Sequence, residues 1–301
     1  MDNLQLLEFG GCFVCNRVMN VWEREAWLPW TRGRKLFFRF WRPERIQGAL
    51  AIVHGYGEHS GRYRKLGTWF AGRGWAVMAC DLPGHGRSPG RRGHISRFSD
   101  YLAVVDALLA EARRTSLGPA FLLGHSLGGL IAARYLELNP KAAEGLVLSS
   151  PFLGLALPVP GWKRGLARVL SRLWPTFSLP SGIDPALLSH DPAIVKAYRE
   201  DPLVHRVATA RWFTEVLAAQ TAALRDAPRI RVPVLIIQGG EDGLASVSAT
   251  RRFVSACGSE DLTFKLYGGL YHEVLNEQEW SEVWHALNSW LVAHRKGDGE
   301  G

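Results

Sequence analysis

A short apolar run, Ala120-Phe121-Leu122-Leu123, ends in Gly124-His125-Ser126-Leu127-Gly128, and a helical pattern begins at once. No other stretch constrains the chain as much. A strand that turns sharply into a helix holds the serine at a strained corner, with its hydroxyl pushed out of the sheet. Glycines flank the serine because a side chain there would collide with the turn or with the neighbouring strand. The amide of Leu127 then points from the positive end of the new helix to where an oxyanion would form. Taken alone, the G-x-S-x-G pattern also fits a glycine-rich turn with a bystander serine. The strand before it and the helix after it favour Ser126 as a nucleophile. That role requires a base, an acid and a second oxyanion donor from elsewhere.

The surrounding chain alternates strands with helices. Lys35–Trp41 is an aromatic-rich strand ended by Pro43, and Ala49–Val53 is apolar throughout, as a strand covered on both faces should be. Helical spacing at 62–73 precedes a strand at 75–79, and 98–115 is helical with Leu102, Val105, Leu108 and Leu109 on one face. After the serine corner come a helix over 126–139 and a strand at 145–150. This rhythm predicts an α/β fold with a mostly parallel, doubly wound sheet. Loops at the carboxyl ends of its strands share one edge.

Three of those loops carry the groups Ser126 lacks. His54-Gly55-Tyr56-Gly57-Glu58-His59 follows the second strand, and its glycines let backbone approach a ligand, so the Tyr56 amide is the candidate second oxyanion donor; a purely structural turn is the alternative. His54 reads as a structural hydrogen-bonding residue. Asp81 and His85 sit in a tight Pro/Gly turn and read the same way. The strand 232–238 is followed by Gly239-Gly240-Glu241-Asp242; Asp242 has better register than Glu241 for an orienting acid. A helix (246–257) and a strand (262–267) lead to Gly268-Gly269-Leu270-Tyr271-His272-Glu273, where His272 is the base. A helix over 278–295 closes the chain.

The alternation breaks at Pro151. Residues 152–227 are proline-rich, carry several helical pieces and no convincing strand, and read as a helical cap inserted over the active edge. The core is then 31–151 and 228–296, and residues 1–30 are an extension of uncertain order. Within the cap, 161–174 sets Trp162, Leu166, Val169, Leu170 and Leu173 against Lys163, Arg164, Arg168 and Arg172. Such a helix can cover an acyl pocket, the reading favoured here, or lie in a membrane interface.

Composition narrows the class. With 301 residues, 47% hydrophobic and 21% charged, the chain is an ordinary globular protein without an apolar run long enough to span a bilayer. Cys12, Cys15, Cys80 and Cys257 make no disulfide framework; Cys12-x-x-Cys15 has no second pair, so incidental thiols are expected. The segment Met1-Asp2-Asn3-Leu4 lacks the pattern of a signal peptide, and a cytoplasmic protein is expected, with peripheral membrane contact through the cap as the alternative to its covering an acyl pocket. A net charge of +8 favours acidic partners or anionic membranes, while the dispersed basic residues give no nucleic-acid module.

From about residue 34 to 295 the chain resembles the monoacylglycerol lipase and lysophospholipase-like branch of the α/β-hydrolases, the serine aminopeptidase-like family. The resemblance rests on His54–Tyr63, on Gly84-His85-Gly86-Arg87-Ser88 with Arg92-Gly93-His94 and Phe98-x-Asp100-Tyr101, on Gly124–Gly129, and on the late Asp242 and His272. It implies a Ser126-His272-Asp242 triad with Tyr56 and Leu127 as oxyanion donors, no metal or organic cofactor, and a small lipid ester as substrate. Tyr56 is bulkier than the family's usual residue, so its ring narrows the pocket or contributes a hydroxyl. Gly243-Leu244-Ala245 lacks the valine expected three residues after the acid. Monoacylglycerol hydrolysis is the leading expectation; lysophospholipase, carboxylesterase, aminopeptidase and a non-catalytic binding protein stay open, as does oligomeric state.

Overall fold

The apolar segments assemble into one nine-stranded sheet in this computed structural model, which describes residues 15–18, 21–116, 118–157 and 159–295, with backbone alone for 15–18 and Arg32. Its strands are β1 (Cys15–Val18), β2 (Val21–Pro29), β3 (Lys35–Pro43), β4 (Gly48–Val53), β5 (Trp75–Cys80), β6 (Ala120–His125) and β7 (Gly145–Ser149). Two short strands, β8 (Ser178–Pro180) and β9 (Val207–Thr209), pair with each other, and β10 (Val234–Gly239) and β11 (Leu262–Tyr267) complete the main sheet. The order is β1-β2-β3-β5-β4-β6-β7-β10-β11. Every pairing from β5 to β11 is parallel, and the three pairings among β1, β2, β3 and β5 are antiparallel.

Parallel strands need crossovers, and helices supply them on both faces. They are α1 (Arg64–Ala71), α2 (Ser99–Thr115), α3 (Leu127–Leu138), α4 (Gly161–Leu173), α5 (Pro192–Glu200), α6 (Ala210–Asp226), α7 (Val247–Ala256) and α8 (Trp280–Ala293). The period of two along β4 divides the core. Ala49, Ala51 and Val53 join the side chains of α2, α3, α6 and α7, while Leu50 and Ile52 join those of α1 and α8. That double coverage is why β4 reads as an unbroken apolar run. On α2 the buried set is Tyr101, Val104, Val105, Leu108, Leu109 and Ala112; Leu102 is only partly covered at its edge.

Residues 21–29, expected within an extension of uncertain order, are a full strand of the sheet. The apolar alternation fails there because charged positions are matched across the sheet. Glu23 and Glu25 both meet the buried Arg39 of β3, Arg64 reaches Glu23 at 2.8 Å, and Arg87 reaches Glu25 at 2.8 Å. The Cys12 position lies outside the described residues, as do residues 296–301.

Between β7 and β10 the chain leaves the sheet for α4, β8, α5, β9 and α6. The two short strands there were not expected; three residues each, with no buried alternation, leave too little pattern to read. The α6 helix carries Trp212, Val216, Ala219 and Ala223 into the core on the α3 face.

Phe121 is fully buried in β6, with its ring edge-on to Trp75 and Trp290 at 5.7 and 5.9 Å. Phe121→Ala should cost about 3–5 kcal/mol, read as a lower urea midpoint with an unchanged m-value.

Candidate active site

The loops after β4, β6, β10 and β11 leave the same edge of the sheet, and four of the five predicted site residues lie on them, with Leu127 opening α3. Ser126 stands between β6 and α3 with φ 53° and ψ −116°, a backbone conformation that L-residues rarely adopt. Its amide donates to the carbonyl of Ser149 at 2.9 Å, and its carbonyl accepts from Phe152 at 2.9 Å, so the neighbouring chain holds the corner. The two flanking glycines are required by space. A Cβ on Gly124 would lie 2.2 Å from the carbonyl oxygen of Gly128, and one on Gly128 would lie 2.0 Å from that of Val53.

His272 Nε2 lies 2.9 Å from Ser126 Oγ, and its Nδ1 lies 2.9 and 3.0 Å from the two carboxylate oxygens of Asp242. The carboxylate behind Nδ1 fixes the proton there and leaves the Nε2 lone pair for the serine hydroxyl. Asp242 is itself anchored: Oδ1 accepts from the amides of Leu244 and Ala245 at 3.0 and 2.8 Å, and Oδ2 from Gln238 Nε2 at 3.1 Å. Glu241 beside it is exposed. Burial alone would push the His272 pKa down; the Asp242 charge and hydrogen bond outweigh it, so the imidazole titrates above its usual 6.5. Burial would push Asp242 up, and the charge and hydrogen bond of His272 together with the two amides bring it below its ordinary value.

On the opposite side, the loop Gly55–Gly57 is tied at both ends. The Gly55 amide donates to Glu58 Oε1 at 2.5 Å, and the Gly57 carbonyl accepts from His205 at 2.9 Å. Tyr56 lies between them. Its hydroxyl donates to the carbonyl of Val207 and its ring lies against Trp212 with centroids 3.9 Å apart, so the hydroxyl is already committed and the ring forms part of the wall. His54 accepts from the Leu82 amide through Nε2 at 2.9 Å, and Asp81 accepts from Ser60 and the Arg87 amide, the structural roles read for both. His85 points Nδ1 at its own turn, 3.0 Å from the Pro83 carbonyl.

A buried ionic group beside the site was not read from the sequence. Arg62 donates to Glu58 at 2.9 Å and to both oxygens of Glu273 at 2.6 and 2.8 Å, joining the Gly55 loop to the His272 loop. Burial raises the pKa of Glu58, and the charge of Arg62, with smaller contributions from the neighbouring histidines and the Gly55 amide, brings it down to about 2. The only local signals were the i,i+4 spacing of Glu58 and Arg62 and a carboxylate directly after His272. His125, buried with its ring 5.1 Å from that of His272, is lowered by burial and then by that neighbour to about 4 and is neutral at pH 7.

Ser126 and His272 open into a cavity of about 620 Å³. Phe152, Trp162, Leu166, Leu170, Trp212 and Phe213 give it an apolar wall, while Glu58, Arg62, Tyr198 and Glu273 form a polar part. The α4 helix lines the cavity with Trp162, Leu166 and Leu170 but is poorly covered: Trp162, Leu173 and, just past its end, Trp174 are 68, 80 and 59% exposed. Among the described residues no three His, Cys, Asp or Glu side chains converge as metal ligands would.

A family model described as serine aminopeptidase, S33, matches residues 44–279. The chain is 36% identical over 266 residues to the human monoglyceride lipase, covering 86% of this chain and 87% of that one. It is 32% identical over 252 residues to the Bacillus subtilis phospholipase YtpA, covering 83% and 96%. The solved monoacylglycerol lipase of Paleococcus ferrophilus superposes with a TM-score of 0.80 at 39% identity, over 86% of this chain and 99% of that one.

Imidazole titration by NMR should find His272 above 6.5. Asp242→Asn removes the two largest raising influences and leaves burial, so its His272 should titrate below the wild-type value; an unmoved titration would contradict the assigned cause.

Proposed function

The chain belongs to the serine aminopeptidase S33 family of α/β-hydrolases and is a carboxylic ester hydrolase, and we propose that it cleaves monoacylglycerols to glycerol and fatty acid through Ser126, His272 and Asp242. The observation that carries the reading is the continuous hydrogen-bonded line from Asp242 through His272 to Ser126, opening into an apolar cavity.

In this reading Asp242 holds His272 in the productive tautomer and stabilises the imidazolium that forms when Nε2 takes the Ser126 proton. Ser126 Oγ attacks the ester carbonyl. The amides of Tyr56 and Leu127 hold the oxyanion, at about 3–4 kcal/mol per donor. His272 returns its proton to the departing alkoxide, and a water deprotonated by His272 releases the fatty acid from the acyl-enzyme. No metal or organic cofactor enters these steps.

The polar part of the cavity supports a neutral head group. Glu58 and Glu273 bring two carboxylates against the single guanidinium of Arg62, and the other cation on the wall, Lys163, is exposed and solvated on α4. A lysophospholipid phosphate would meet an excess of negative charge there, whereas glycerol hydroxyls donate to carboxylates. A phospholipase among the relatives keeps lysophospholipid hydrolysis as the second reading.

Residues 152–227 act as a cap over the site. Its α4 helix ends on exposed Leu173, followed by exposed Trp174, beside Arg168 and Arg172, which suits peripheral contact with an anionic membrane from the cytoplasm. No helix among the described residues is long and apolar enough to cross one.

Fatty-acid release should be faster from medium- and long-chain monoacylglycerols than from matched lysophospholipids, by about tenfold or more. Ser126→Ala should lose on the order of 10⁴-fold or more in kcat while keeping its fold by circular dichroism; retained turnover would end the triad assignment. Leu173→Glu with Arg168→Glu should reduce co-sedimentation with vesicles containing anionic lipid and leave soluble-ester hydrolysis near wild type.

A further inference from the structure

Glu277 is not among the residues lining the cavity, yet its side chain is wholly buried and ringed by donors. Oε1 accepts from the Tyr271 amide at 2.7 Å and lies 3.0 Å from Nδ1 of His190. Oε2 accepts from the His190 amide at 2.8 Å and from the Ser189 hydroxyl at 2.9 Å. Tyr271 immediately precedes His272, whereas Ser189 and His190 belong to the segment inserted between β7 and β10. The carboxylate therefore joins the His272 loop to the insertion.

The neighbouring contacts run the same way. The His272 amide donates to the Leu187 carbonyl at 3.4 Å, and the Glu273 amide to the Leu188 carbonyl at 2.7 Å. The His190 ring stacks on that of Tyr271 with centroids 3.7 Å apart. Three consecutive amides around His272 are thus held from outside the sheet, two by the insertion directly and the first through Glu277.

We infer that Glu277 is a positioning residue for His272, fixing the loop that sets the reach of Nε2 to Ser126. The inference rests on the reading of His272 as the base. Its physical content is distance: a reacting group displaced by about 1 Å can lose on the order of 100-fold in rate. Glutamine cannot replace the carboxylate here. Each oxygen accepts a backbone N–H, so either orientation of the amide turns its NH₂ onto a fixed donor.

The test is Glu277→Gln on the full chain, with active sites counted by fluorophosphonate titration so that unfolded molecules do not enter kcat. The expected result is a fall in kcat of about 10- to 100-fold at a KM within about twofold of wild type, with the phosphonylation rate of Ser126 falling in parallel. A lowered Tm with wild-type kcat per titrated site would mean a merely structural latch and would overturn the inference. Should that variant not fold, His190→Ala decides the question, because its partly exposed imidazole supplies one donor and the stacking on Tyr271. Several-fold lower kcat at unchanged KM supports the inference, and unchanged kcat overturns it. Ester hydrolysis that survives Ser126→Ala would instead overturn the triad reading itself.

Discussion

An imidazole removed from water loses its affinity for a proton unless a negative charge stands behind it, and the active edge of this protein is built around that requirement. Burial drives His272 one way and Asp242 drives it further the other. The carboxylate can do so only while it stays ionised inside the protein, which its two amide donors and Gln238 secure. The pair is one unit: removing the carboxylate would leave a histidine of altered pKa and unspecified tautomer at the same coordinates.

Placing such a pair next to a serine requires loops that do not wander, and loops are where backbone freedom is greatest. Buried carboxylates restrain them here. Glu58 and Glu273 share Arg62 and tie the Gly55–Gly57 loop to the His272 loop, while Glu277 joins the His272 loop to the insertion. Each charge is accompanied by several donors, the condition under which an ionised group is tolerated away from water. The strained Ser126 corner is restrained differently, by backbone bonds to β7 and by two glycines that let strand and helix touch.

The insertion between β7 and β10 does more than lie across the edge. Its residues 187–190 support the loop of His272, its His205 and Val207 hold the Gly57 carbonyl and the Tyr56 hydroxyl, and its helices supply most of the apolar wall. The walls of the cavity and the loops that carry Tyr56 and His272 therefore depend on the same segment. A rearrangement of α4 alone, whose outer side remains uncovered, would alter access without touching those supports.

The amino-acid sequence determined by itself what depends on short-range pattern. Unbroken apolar runs marked the strands covered on both faces, and the glycines around Ser126 marked a corner where strand and helix nearly touch. Asp242 and His272 could be placed from the sequence because each lies in a loop that follows a strand, and the carboxyl ends of those strands share one edge of the sheet. Strand β2 was not legible, because its charges are neutralised by Arg39, Arg64 and Arg87 from elsewhere in the chain. Nor were Arg62, Glu273 and Glu277, nor the use of the Tyr56 hydroxyl on Val207. A carboxylate reads as a solvated surface residue until folding takes its water away, and only the tertiary structure decided which donors replaced that water.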